Sequence, residues 1–90
     1  MLYMLIETFK PGSQAEIYRR LEEHGRMLPA GLIHIDSWID ESLTRCFQLM
    51  ECEERRLLDQ WISRWEDLTD FETVPVIASD EAKRRALSSG

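Results

Sequence analysis

Two cysteines, two histidines, three prolines and four glycines are all that 90 residues carry of the types that staple, ligate or interrupt a chain. Neither a C-x-x-C pair nor a closely spaced pair of histidines occurs, so a structural zinc site is not expected. Cys46 and Cys52, placed on one strand, stand roughly 20 Å apart at about 3.3 Å per residue, too far to bridge, and read as reduced thiols. Positive charge is scarce too. Eleven Lys and Arg against 17 Asp and Glu leave a net charge of −6, and no basic stripe interleaves with aromatics, which argues against a nucleic-acid partner. Long hydrophobic runs are missing as well. The opening stretch Met1 to Ile6 falls far short of the roughly 20 residues that cross a bilayer, so no membrane span is expected. The first lysine is Lys10 and a strand-like pattern begins at once, in place of a charged leader with a cleavage site; a cytoplasmic location is the expectation.

What is present is an ordinary globular composition, 43% hydrophobic and 31% charged. One domain over residues 1–87 is expected, with 88–90 as a frayed tail. A domain of this size buries only roughly 60–65% of the surface its unfolded chain exposes, so self-association would supply useful apolar contact.

Leu2 to Phe9 reads as a strand closed by Lys10-Pro11-Gly12. Ser13 followed by Glu16 has the spacing of a capping box, and Ile17, Leu21, His24 and Leu28 continue as one helical stripe. On that stripe His24 reads as a hydrogen-bonded structural imidazole and Arg26 as a cation favouring the helix dipole. After Pro29-Ala30-Gly31, the alternation of Ile33, Ile35 and Ile39 against His34, Asp36 and Trp38 predicts a half-buried strand over Leu32 to Ile39. A polar turn over Asp40, Glu41 and Ser42 joins it to a strand over Thr44 to Glu51, a hairpin. Glu53 to Trp65 has the spacing of a second amphipathic helix, with Leu57, Leu58, Trp61, Ile62 and Trp65 as its packed face. Its acidic start, Glu51 to Glu54, reads as a solvated terminus. Phe71 to Ile77 returns to strand composition, with Pro75 marking an edge or bulged position, and Ser79 caps a short last helix through Leu87.

The order βαββαβ predicts an α+β, ferredoxin-like fold: a four-stranded antiparallel sheet with two helices on one face, plus a short C-terminal helix. The uncovered face then needs a second subunit or a ligand if it is too apolar for water.

Particular residues carry a resemblance. Met1-Leu2-Tyr3-Met4, Gly25-Arg26-Met27-Leu28-Pro29 with Gly31-Leu32, Asp36-Ser37-Trp38, Arg45-Cys46-Phe47-Gln48-Leu49-Met50-Glu51, Leu58-Asp59-Gln60-Trp61 and Asp70-Phe71-Glu72-Thr73-Val74-Pro75-Val76 resemble the family known as domain of unknown function 3303. That family is similar to the dimeric α/β-barrel group, in which two ferredoxin-like subunits set their open sheet faces together. The resemblance implies a homodimer and, in some members of the wider group, a cavity for a small-molecule ligand. Cofactor-free monooxygenases, isomerases, haem-degrading enzymes and plain binding modules all share that fold, so it implies no particular chemistry.

Strand alternation supplies the candidate site. With Ile33, Ile35 and Ile39 toward the helices, His34, Asp36 and Trp38 face the open side. A three-residue hairpin loop sets Asp36 opposite Gln48 and Trp38 opposite Cys46, with Phe47 and Leu49 turned to the helices; a one-residue slip reverses this. Met4 and Ile6 join the core in the same scheme, leaving Tyr3, Leu5 and Glu7 on the open side. Two functions follow. One is a cofactor-independent enzyme with His34 as acid or base oriented by Asp36, and Tyr3, Glu7, Trp38 and Gln48 as substrate-binding residues. The other, with fewer assumptions, is a binding or interaction module whose open face, anchored by Trp38, Leu5 and Met50, is a homodimer contact. Trp61 and Trp65 read as packing, and Cys46 as an inert thiol.

Overall fold

The computed structural model describes residues 1–88. In chain order the elements are β1 (Leu2–Phe9), α1 (Gln14–His24), β2 (Ile33–Ile39), β3 (Arg45–Glu51), α2 (Arg55–Ile62), β4 (Thr69–Val76) and α3 (Ser79–Ser88). The four strands form one antiparallel sheet in the order β2-β3-β1-β4, the ferredoxin-like arrangement. Pro75 sits on the edge strand β4, which pairs on one side only. No helix among the described residues is long and apolar enough to cross a membrane.

Several ends differ from the sequence expectation. Ser13 does precede α1, but its hydroxyl donates to the Leu68 carbonyl at 3.0 Å instead of capping, so it ties the helix start to the turn before β4. The helix stops at His24 because Gly25 takes a φ of 65° and donates its N–H to the Leu21 carbonyl. Leu28 therefore lies beyond the helix, and His24 is exposed beside Glu23 rather than packed as a structural imidazole. The hairpin loop is held by Asp40, whose carboxylate accepts from the Thr44 and Arg45 N–H groups at 2.8 Å and from the Ser42 and Thr44 hydroxyls. Those bonds hold its pKa far below the usual carboxylate range. Ser88 closes α3, and the rest of the expected tail, 89–90, lies outside the described residues.

The core lies between the sheet and α1 and α2. Tyr3, Leu5 and Phe9 of β1, Cys46 and Met50 of β3, Ile17 of α1, and Leu58, Trp61 and Trp65 of the α2 region form one buried cluster. Trp61 meets Phe71 edge to face with centroids 5.7 Å apart. Each of the fully buried side chains Leu5, Met50 and Leu58 contributes roughly 1.5–3 kcal/mol by leaving water.

This reverses the expected faces of β1 and β3. Tyr3, Leu5 and Glu7 point to the helices, whereas Met4 and Ile6 line the open side and stay only half-buried. Cys46, Gln48 and Met50 point inward, and Phe47 and Leu49 outward. Leu5 and Met50, expected as open-face anchors, belong to the core. The reason is register. Trp38 pairs with Phe47 and Asp36 with Leu49, one residue away from the expected partners, and a slip of one turns every side chain of a strand over.

Candidate functional site

β2 carries an irregularity that decides the site. From Ile39 back to Asp36 its residues pair one-to-one with Cys46 to Leu49, but His34 pairs with Met50, leaving Ile35 as the extra residue of a bulge. Directly paired residues share a face, so His34 joins inward-pointing Met50 while Asp36 joins outward-pointing Leu49. The expected His34–Asp36 pair is thus split across the sheet. Asp36 is exposed and accepts a hydrogen bond from the Ser37 N–H at 2.8 Å. The His34 Nε2 is buried without a partner, and burial, reinforced by the charge of Arg26, holds its pKa below the usual value. Ile33 and Ile35, expected under the helices, are 55% and 47% exposed; Ile39 pairs with Cys46 on the inner side as expected.

Beneath α1 the inward residues do something unusual for a small core. Glu7 of β1 and Gln48 of β3, only 6% and 7% exposed, meet diagonally, and the Gln48 amide Nε2 donates to the Glu7 carboxylate. Burial dominates the electrostatics and pushes Glu7 up to about 7, with the Gln48 hydrogen bond and the charge of Arg26 opposing it. Cys46, directly opposite Glu7, is pushed up to about 12, first by burial and next by the Glu7 charge. Its thiol is not poised as a nucleophile. The Gln48 Oε1 is buried and has no hydrogen-bond partner.

Arg26 completes the polar end. Its carbonyl accepts both indole N–H groups, from Trp61 at 2.7 Å and Trp65 at 3.1 Å, which pins the segment after α1 against the α2 region. Next along, Met27 takes a φ of 59° and its carbonyl accepts from Arg64. From that fixed backbone the Arg26 guanidinium reaches the Ser37 hydroxyl at 3.5 Å.

Glu7, Gln48, Arg26, Ser37 and Cys46 form one end of a cavity of about 160 Å³ between α1 and the sheet. Apolar side chains form the remainder, among them Phe9, Ile17, Leu21, Trp61 and Trp65. The cavity is partly open, and exposed Tyr18 and Ile39 stand at its rim. Among the described residues no group of three or more His, Cys, Asp or Glu is placed to hold a metal.

Of the six residues singled out from the sequence, the structure brings Glu7 and Gln48 together, in the cavity and not on the open face. Tyr3 is buried elsewhere, beneath the Arg55 guanidinium 5.5 Å from its ring. Trp38 does face the open side, 51% exposed opposite Phe47. Arg26, Ser37 and the paired roles of Trp61 and Trp65 were not legible as site features. The signal available was weak: one polar residue at inward parity on each central strand, Glu7 among Tyr3, Leu5 and Phe9, and Gln48 between Cys46 and Met50.

Comparison with known proteins adds a family match alone. The model of a family described as Domain of unknown function (DUF3303) matches residues 1–89. No curated protein and no solved structure matches the chain.

Proposed function

We propose, for a chain that belongs to the DUF3303 family, that this domain is a binding module working as a homodimer, its open sheet face set against a second copy and its helix-covered cavity holding a small molecule. The observation that carries this reading is an open sheet face that is largely apolar, behind a core that holds two polar residues. Ordinary two-layer domains bury apolar side chains under their helices and turn polar ones to water. Here Glu7 and Gln48 are buried under α1. The open face presents Leu2, Met4, Phe47, Leu49, Val74 and Val76, cross-strand neighbours on three strands, with Trp38 beside them and Asp36, Glu51 and Glu72 among its charged positions. Such a patch is what a subunit contact uses. A partly open cavity with an unmatched polar atom is what a ligand site uses.

The dimer is tested by light scattering at about 20 µM. A chain of 10.6 kDa gives twice that mass, about 21 kDa, as a dimer. Trp38→Glu combined with Phe47→Glu charges two directly opposed positions of the face and is expected to give the monomer mass with the far-ultraviolet spectrum retained. Wild-type chain at the monomer mass sinks the assembly. A second reading, an enzyme that moves a proton, is favoured by the Glu7 value of about 7, where a general base works best. Loss of a verified turnover in Glu7→Gln, with binding retained, is its test.

A further inference from the structure

We infer that the cavity under α1 takes an uncharged, single-ring molecule bearing a hydroxyl, with the ring against Trp61, Trp65 and Leu21 and the O–H donating to Gln48 Oε1. The inference rests on the ligand-binding reading above and names the class of molecule. Size sets the first limit. A cavity of about 150 Å³ accommodates benzene, and this one is about 160 Å³. It therefore holds one ring with a small substituent, not a fused or chain-bearing compound. The lining away from the polar end is aromatic and aliphatic, which favours an apolar ring.

Direction of hydrogen bonding sets the second limit. The Gln48 amide group has already committed its Nε2 to Glu7, and what remains is a carbonyl oxygen, buried and without a partner. An acceptor in that state is costly to leave unmatched, so the group that belongs beside it is a donor. Charge sets the third. Arg26 and Glu7 line the same end, so a cationic ligand meets the guanidinium and an anionic one meets the carboxylate whenever it is ionised. A neutral hydroxyl avoids both. It can also accept from Arg26 or Ser37, whose mutual contact of 3.5 Å is long enough to be exchanged for a better one.

The test uses the full chain labelled with nitrogen-15 at pH 8, where Glu7 is ionised, reading the indole N–H signals of Trp61 and Trp65 while phenol, benzene or benzoate is added. Phenol is expected to shift both signals saturably and to bind about fivefold more tightly than benzene, with benzoate weakest. Gln48→Met keeps the side-chain length and removes the acceptor, and should bring phenol to the level of benzene. If that variant does not fold, the wild-type comparison of phenol with benzene still decides the question. Ile39→Trp at the rim, on edge strand β2, should then exclude both probes and fix the location. Equal binding of phenol and benzene means that Gln48 holds only a water, which overturns the hydroxyl assignment and leaves the binding reading standing. Benzoate binding tightest overturns the claim of neutrality. No shift with any of the three overturns both the inference and the cavity's role as a ligand site.

Discussion

Glu7 makes this domain lose stability as the solution becomes less acidic, the reverse of what carboxylates usually do. Its ordinary value is 4.5 and its folded value about 7, with burial the first cause. The folded state therefore holds the proton more tightly than the unfolded chain. Wherever the folded form binds more protons, stability falls as pH rises. The contribution is complete below about 4.5, shrinks between 4.5 and about 7, and is gone above. A difference of this size corresponds to about 3 kcal/mol, since each tenfold change in proton affinity is worth about 1.36 kcal/mol. Glu7 is 6% exposed, so solvent screening does not reduce it much. His34 works in the opposite sense. Its lowered value means that the unfolded chain binds the extra proton, so its contribution grows as pH rises. Comparison with Glu7→Gln removes that complication, because His34 is common to both proteins. The assay is urea unfolding at fixed protein concentration between pH 4.5 and 8.5, followed by fluorescence of the buried Trp61 and Trp65. Glu7→Gln should gain about 3 kcal/mol on wild type across that range, or roughly 10–20 °C in Tm for a domain of this length. A stability difference that stays level from pH 5 to 8 would refute the burial argument.

Two further outcomes follow from the same geometry. Leu43 is 52% exposed at a φ of 60°, a conformation that costs a branched side chain about 1 kcal/mol, so Leu43→Gly should leave Tm unchanged or raise it by a few degrees; a clear fall would show that the leucine side chain matters to the loop. Cys46 and Cys52 are buried and both thiols are raised by burial, so in native protein at pH 8 neither should react with a disulfide reagent on the timescale of unfolded chain, and prompt labelling of either would contradict their placement.

Element order was readable from local chemistry alone. Gly25 and Pro29 interrupt the chain between α1 and β2, the spacing of Leu57, Leu58 and Trp61 allows only one face of α2 to pack, and Pro75 keeps its strand out of a fully paired central position. These signals act over a few residues, so the ferredoxin-like order and the strand assignments follow from the sequence without knowledge of neighbours. The packing roles of Trp61 and Trp65 followed in the same way.

Which face of each strand meets the helices was decided only by tertiary structure. Both faces of β1 are apolar at most positions, Tyr3, Leu5 and Phe9 on one and Leu2, Met4 and Ile6 on the other, so hydrophobicity does not distinguish them. The choice falls to register, and the register to the turn held by Asp40, which leaves six residues, 40–45, between the paired Ile39 and Cys46 where an odd number was expected, and to the bulge at Ile35; neither the turn's length nor the bulge has a local sequence mark. That bulge sends His34 inward and Asp36 outward, undoing a pair that simple alternation puts together. Glu7 and Gln48 look like surface residues one at a time; buried together, the Gln48 Nε2 donates to the Glu7 carboxylate, and only the pairing of β1 with β3 brings them within reach.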